Sequence, residues 1–244
     1  MDTIEQDILD VAEASSSPQR NRLSPLRKAI AARMTEAKQS IPHFRVVADI
    51  EMDELLRLRR EINARSVESK VSVNDFIVKA CALALNEWPA INSHFCDNEI
   101  VQFPESNISI VVSIDGGLTI PVLRKAETKT VQEIARELAS LVSRAASGQL
   151  KMSDISGGSF TISNMGMYGV DQFDAIINPP QIAILAAARA KKKVIVVDNE
   201  AVIRTVMRVT LSVDHRAVDG AIGAGFLTSL SAYLENPKSL LSEL

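Results

Sequence analysis

Cysteine is scarce in this chain of 244 residues: Cys81 and Cys96 are the only two, and they form no CxxC pair and stand beside no histidine cluster. Neither a disulfide framework nor a zinc site is indicated, and the compartment reads as reducing. A long basic block is missing too. The formal net charge is -3 and the pI near 5.7, which argues against nucleic acid as a partner and leaves an acidic or neutral substrate open. No stretch approaches the ~18 uninterrupted apolar residues of a membrane span, and the amino end is acidic where a secretion signal is basic. The chain therefore reads as soluble and cytosolic. Its two glycine pairs lack a G-x-G-x-x-G fingerprint and no P-loop lysine follows them, so nucleotide binding has little support.

What is present is enough apolar material, 46% of the residues, to bury a sizeable core in one domain. Residues 1–22 mix acids, alanines and the run Ser15-Ser16-Ser17-Pro18, and read as a flexible tail or linker remnant. The folded domain is expected over 23–244. Ser24-Pro25 opens a helix whose Leu26, Ile30, Met34 and Ala37 recur at helical spacing, and the helix stops before Pro42. Phe44, Val46, Ala48 and Ile50 then alternate with mostly polar residues, as a half-buried strand does. Asp53 reads as the cap of a second helix carrying Leu55, Leu58 and Ile62. Ser72 with Asp75, and Thr130 with Glu133, have the spacing of capping boxes, and the helix after Thr130 is expected to close at Gly148.

The residues from Ile108 to Ile114 alternate toward a turn at Asp115-Gly116-Gly117, and Leu118 to Leu123 resumes extended structure, with Pro121 marking an irregular or edge position. Gly157-Gly158 introduces a strand through Asn164. Further strands are expected over Ile182 to Ala188, Val194 to Val197 and Ala201 to Val213, with Lys191-Lys192-Lys193 as a solvated turn between two of them. A last helix runs from Gly220 to Glu235, stopped by Pro237. Strands grouped late, with helices earlier and one at the end, suit an α+β sandwich better than alternating βαβ units.

Chemistry is concentrated in Ser212-Val213-Asp214-His215-Arg216-Ala217-Val218-Asp219-Gly220. One of only three histidines stands there between two acids, where an imidazole can take a proton near pH 7 and a carboxylate four residues on can steady it. A plainer account is that Asp214 pairs with Arg216 and Asp219 caps the following helix. His43 and His94 have no such setting. Ser159, Thr161 and Ser163 share one face of a strand, so periodicity does not choose among their hydroxyls, and each has the option of bonding to backbone.

Taken with Gly157 to Gly166, Ile177-Asn178-Pro179-Pro180-Gln181, Arg33-Met34-Thr35 before Ile41-Pro42-His43, Gly117 to Val122, and Tyr233-Leu234-Glu235-Asn236-Pro237, the histidine segment resembles the catalytic domain of dihydrolipoamide acyltransferases, core components of 2-oxo acid dehydrogenase complexes. The resemblance implies a two-layer sandwich like chloramphenicol acetyltransferase, a mixed sheet flanked by helices, and a trimeric assembly. It implies acyl transfer between dihydrolipoamide and coenzyme A, with His215 as general base, Ser163 as oxyanion donor and Asp219 as a positioning acid where some members carry asparagine. No metal is implied. The expected partners are copies of the chain in trimers and a larger symmetric core, lipoyl domains, and the decarboxylase and dihydrolipoamide dehydrogenase components, in the cytoplasm or, in a eukaryote, the mitochondrial matrix. Nothing suggests a nucleic-acid or membrane partner.

The family carries a lipoyl domain and a subunit-binding domain ahead of this region, and no lipoyl attachment site is evident in this sequence. That leaves a free-standing or mainly structural core homologue as the alternative. An enzyme acting on small hydroxyl compounds is a third, but such relatives carry a second histidine where Asp214 stands. Coenzyme A contacts are not assigned from sequence; Asn164 to Tyr168 and Phe173 are the first place to look for an acyl pocket. Leu240, Leu241 and Leu244 form an apolar carboxyl end that suits either docking between trimers or packing on its own subunit.

Overall fold

The computed structural model describes residues 20–66, 70–114 and 117–241. Five helices of three or more turns occur among them: α1 (Pro25–Ser40), α2 (Asp53–Arg65), α3 (Val73–Glu87), α4 (Val131–Ala146) and α5 (Gly220–Glu235). The strands are β1 (His43–Glu51), β2 (Ser93–Cys96), β3 (Glu99–Gln102), β4 (Ile108–Ile110), β5 (Val112–Ile114), β6 (Gly117–Thr119), β7 (Val122–Leu123), β8 (Phe160–Asn164), β9 (Ala183–Val197) and β10 (Glu200–Asp214). Contacts divide the chain at Arg33/Met34, within α1. On the amino-terminal side, Ser24 starts α1 by accepting the Arg27 and Lys28 amide protons on its hydroxyl and carbonyl oxygens.

From Met34 on, a six-stranded sheet in the order β1-β10-β9-β8-β4-β7 organises the fold. It is mixed: β8 lies parallel to β9 and to β4, and the other neighbours are antiparallel. Alternation along the strands sends Ile50, Val209, Leu211, Val213, Leu185, Phe160 and Ile162 to one face, where they join Phe76, Leu85, Phe226 and Leu230 of α3 and α5 in the main core. Phe76, Phe160 and Phe226 are fully buried, each contributing roughly 1.5–3 kcal/mol of apolar transfer. The other face carries Thr161, Ile184, Thr210, Ser212 and Asp214; a small cluster of Ala37, Ile41, Ile177 and Ile184 covers part of it.

Local chemistry sets the helix starts. Ser72 and Thr130 head capping boxes with Asp75 and Glu133, as their spacing predicts, and Gly148 after α4 takes a left-handed φ of 68°. Gly225 is required by close approach, because a Cβ there would lie 2.1 Å from the Trp88 ring. Asp53 departs from expectation. The cap of α2 is Met52, and Asp53 is the first helical residue, its carboxylate drawn off to accept from the Thr205 amide and hydroxyl at 2.8 and 2.9 Å.

Two further expectations are corrected. The alternation from Ile108 to Ile114 is split at Val111, so that β4 stays in the main sheet while β5 pairs with β6 in a separate hairpin. Asp115 and Gly116 of the expected turn lie outside the described residues, as do residues 1–19 and Leu244. Lys191-Lys192-Lys193 is no turn; it is strand, paired with Val206, Thr205 and Arg204 in the long β9–β10 hairpin. The reversal falls at Asp198-Asn199, both left-handed (φ 51° and 65°), the geometry whose twist suits a two-residue hairpin. Backbone pairing wins because the lysines keep their charges at the strand's two solvated faces: Lys191 bonds to Asp171 at 2.6 Å and Lys193 to Asp49 at 3.0 Å, while Lys192 alternates to the opposite side. Leu240 is buried in the core of its own subunit, within the short helical turn Pro237–Leu241.

Candidate active site

His215 directly follows the last residue of β10, in a turn closed by the Ala217 and Val218 amides donating to the Asp214 carbonyl oxygen, both at 3.0 Å. Its own amide donates to Pro42 at 3.1 Å, tying the turn to the start of β1. Asp214 is buried, and its carboxylate accepts from the Arg216 amide (3.0 Å), Nε (3.0 Å) and Nη2 (2.7 Å). The imidazole itself is exposed and meets Phe44 edge-on, 5.1 Å between centroids. Neither ring nitrogen is hydrogen-bonded among the described residues. The backbone is thus fixed while the imidazole is left free to exchange a proton with something outside.

The other histidines are spoken for. His43 bonds through Nδ1 to Ile41 O (2.9 Å) and accepts on Nε2 from the Ile177 amide (3.1 Å), which makes it a brace between β1 and the loop after β8. His94 donates from Nε2 to Gly158 O at 3.0 Å beside Phe103, and burial pushes its pKa below the ordinary value.

Among the three hydroxyls of the β8 segment, hydrogen bonding separates what periodicity does not. Ser159 exchanges bonds with the Asn107 backbone, and Thr161 donates to buried Gln181. Ser163 is half-buried and its hydroxyl makes no hydrogen bond among the described residues; it faces a cavity of about 760 Å³. Asn164 to Tyr168 line the same cavity, as expected, whereas Phe173 does not. Gly169 after Tyr168 is left-handed (φ 73°), a backbone conformation that glycine takes without strain. No charged side chain is among the described residues that line the cavity. Asn74, in the first turn of α3, accepts from the Asn164 side chain at 3.0 Å, and Asn164 in turn accepts from the Gly166 amide at 2.9 Å. Asn74 escaped the sequence reading because its partner is remote; its one signal was its place inside the Ser72 capping box.

Within one chain, His215 and Ser163 are not brought together. Ser163 is paired with Ala186 and Ala186 with Thr210, while His215 comes after Asp214, four residues further along β10. Two strand spacings and the five residue rises from Thr210 to His215 place them on the order of 20 Å apart, and His215 does not line the cavity. Asp219 sits at the start of α5 and accepts from the Ile222 amide at 3.0 Å, which is the helix-capping role. Asp214 and Arg216 pair as the plainer reading of this segment has it. Among the described residues no group of three His, Cys, Asp or Glu side chains is placed to hold a metal, and no helix is long and apolar enough to cross a membrane.

Residues 15–242 match the family of 2-oxoacid dehydrogenases acyltransferase (catalytic domain). The chain is 42% identical, over 91% of its length, to the dihydrolipoyllysine-residue acetyltransferase component of the pyruvate dehydrogenase complex of Zymomonas mobilis. That alignment takes in 51% of the relative, so the chain spans about half the length of the curated protein it matches. A crystallographic and enzymatic study of the dihydrolipoamide acetyltransferase of Azotobacter vinelandii, concerned with the roles of a serine, a histidine and an asparagine in its catalytic mechanism, supplies a structure that is 28% identical. It superposes with a TM-score of 0.88, covering 92% of this chain and 94% of that one. Chloramphenicol acetyltransferase shares the fold, with a TM-score of 0.55 at 15% identity over 83% of this chain and 94% of its own.

Proposed function

The chain belongs to the 2-oxoacid dehydrogenase acyltransferase family, and from that membership we propose that it moves an acyl group between the thiols of dihydrolipoamide and coenzyme A. A thiol attacks poorly until it is deprotonated. His215 takes the proton from the attacking thiol as its sulfur bonds to the thioester carbonyl carbon. The carbonyl oxygen becomes an oxyanion, which the Ser163 hydroxyl meets with a hydrogen bond. Collapse restores the carbonyl, breaks the bond to the other sulfur, and the proton on His215 passes to that leaving thiolate. General base help of this kind is worth about 10²–10⁴-fold, and one oxyanion donor about 10²–10³-fold.

The observation that carries the reading is spacing. In the Azotobacter vinelandii enzyme the serine and histidine lie 52 residues apart and the histidine and asparagine four, the same separations as among Ser163, His215 and Asp219. An asparagine at that last place takes no obligatory proton, which agrees with Asp219 as a positioning residue acting through the first turn of α5. The free hydroxyl of Ser163 on the cavity supports its part.

Because base and donor are so far apart in one chain, we place the working site between copies, histidine from one and hydroxyl from its neighbour, in a homotrimer that associates further. The β9–β10 hairpin supports such contacts: Val194, Val196 and Ile203 are 70%, 74% and 65% exposed on the side that Ala190 continues into the cavity. Among the described residues that line the cavity there is no cation to hold a succinyl carboxylate, so the acyl group is taken to be acetyl. Residues 23–244 are then the catalytic domain, served by lipoyl domains and by decarboxylase and dihydrolipoamide dehydrogenase components, in the cytoplasm or mitochondrial matrix.

Acetyl transfer from acetyl-coenzyme A to free dihydrolipoamide tests this directly. His215→Ala should lose at least about 10²-fold in kcat and Ser163→Ala about 10²–10³-fold, each with the oligomer intact by light scattering. Wild-type rates in either variant would remove that residue from the mechanism.

A further inference from the structure

The residues on either side of His215 are joined to each other across it. Asp214 is 1% exposed, and a carboxylate so far out of water is held there only by what pairs with it. Arg216 does the pairing, with its Nε and Nη2 presented as a fork and its backbone amide as a third donor. The guanidinium face in turn lies 4.2 Å over the Phe95 ring. Phe95 belongs to the β2–β3 hairpin, and its amide donates to Pro180 at 2.9 Å, so the stack is anchored in a separate part of the fold.

The result is a series of interactions, carboxylate to guanidinium to aromatic face, running beside the histidine whose imidazole makes no hydrogen bond among the described residues. Such a side chain takes its direction from the backbone beneath it and from Phe44 at its edge. A rotation of about 10° at the Cα carries a ring nitrogen roughly 1 Å, and displacement on that scale costs a proton-transfer site up to about 10²-fold.

We propose that Arg216, clamped between Asp214 and Phe95, is a positioning residue for His215 and sets the direction of its imidazole. This rests on the assignment of His215 as the base. It gives the β2–β3 hairpin, whose outer strand is exposed throughout, a part in catalysis through Phe95.

The test is a set of variants assayed for acetyl transfer. Arg216→Met should lower kcat roughly 10- to 100-fold while KM for coenzyme A and for dihydrolipoamide stays within about twofold. Because that change strands a buried carboxylate and risks unfolding, Asp214→Asn/Arg216→Met is made alongside it, removing both charges; the same loss of kcat is expected. Arg216→Lys should recover only part of the rate, since an ammonium does not reproduce the fork. In a His215→Ala background, Arg216→Met should cost nothing further. The proposal is overturned if a folded Arg216→Met or double variant keeps kcat within twofold of wild type, or if the loss is as large without the imidazole as with it. Should His215→Ala alone retain the wild-type rate, the base assignment fails instead, whatever the Arg216 variants do.

Discussion

Hydrogen-bond partners decide which polar side chains in this chain are available for chemistry, and those partners are mostly remote in sequence. Ser159 and Thr161 are engaged by Asn107 and Gln181, 52 and 20 residues away, which is why alternation along β8 left the choice of hydroxyl open, while the Ser163 hydroxyl makes no hydrogen bond among the described residues. The same holds for the histidines. His94 is held neutral by burial, its pKa below the ordinary 6.5. A histidine depressed in this way favours folding above the unfolded value and loses that contribution as pH falls through the lower folded one. Urea unfolding of wild type should therefore weaken from pH 7 toward pH 5, and His94→Asn should flatten that slope. An unchanged slope would assign the acid sensitivity to other groups. His215 could be singled out from sequence because acids flank it locally; the Phe44 and Phe95 contacts that define its surroundings could not, since both come from strands far upstream.

Helix starts were legible because their causes lie within four residues. Both capping boxes form where the spacing puts them, and α5 starts at Gly220 and ends at Glu235, before Pro237. Thr130→Ala deletes the hydroxyl that accepts from the Glu133 amide and donates to the Glu133 carboxylate, and should cost about 1 kcal/mol, read as a lower midpoint in chemical denaturation with an unchanged slope. Strand limits were less legible. The lysine run has the composition of a loop, and only its pairing with β10 makes it strand. Asp53 carries an N-cap residue's chemistry, yet Thr205, 152 residues on, claims its carboxylate. Where a tertiary partner offers two hydrogen bonds, a local preference worth about 1 kcal/mol gives way.

The fold class could be read from the order of elements, and the sheet order β1-β10-β9-β8-β4-β7 bears it out, with chloramphenicol acetyltransferase as a distant relative in fold. What no single-chain pattern reveals is how far apart that order sets the two chemical groups. His215 emerges at one end of β10, and Ser163 lies two strands over and several residues back. If the reaction centre joins two subunits as proposed, each subunit is half of two different centres, and a subunit that lacks one group still supplies the other to a neighbour. Subunits carrying His215→Ala and subunits carrying Ser163→Ala, each inert alone, would then regain about one quarter of wild-type activity when dissociated, mixed in equal parts and reassembled, because a quarter of the junctions pair an intact imidazole with an intact hydroxyl. A mixture as silent as its components would mean that both groups must be drawn from the same polypeptide. The geometry of one sheet thereby turns a question of enzymology into one of genetics, answerable by complementation between two dead alleles.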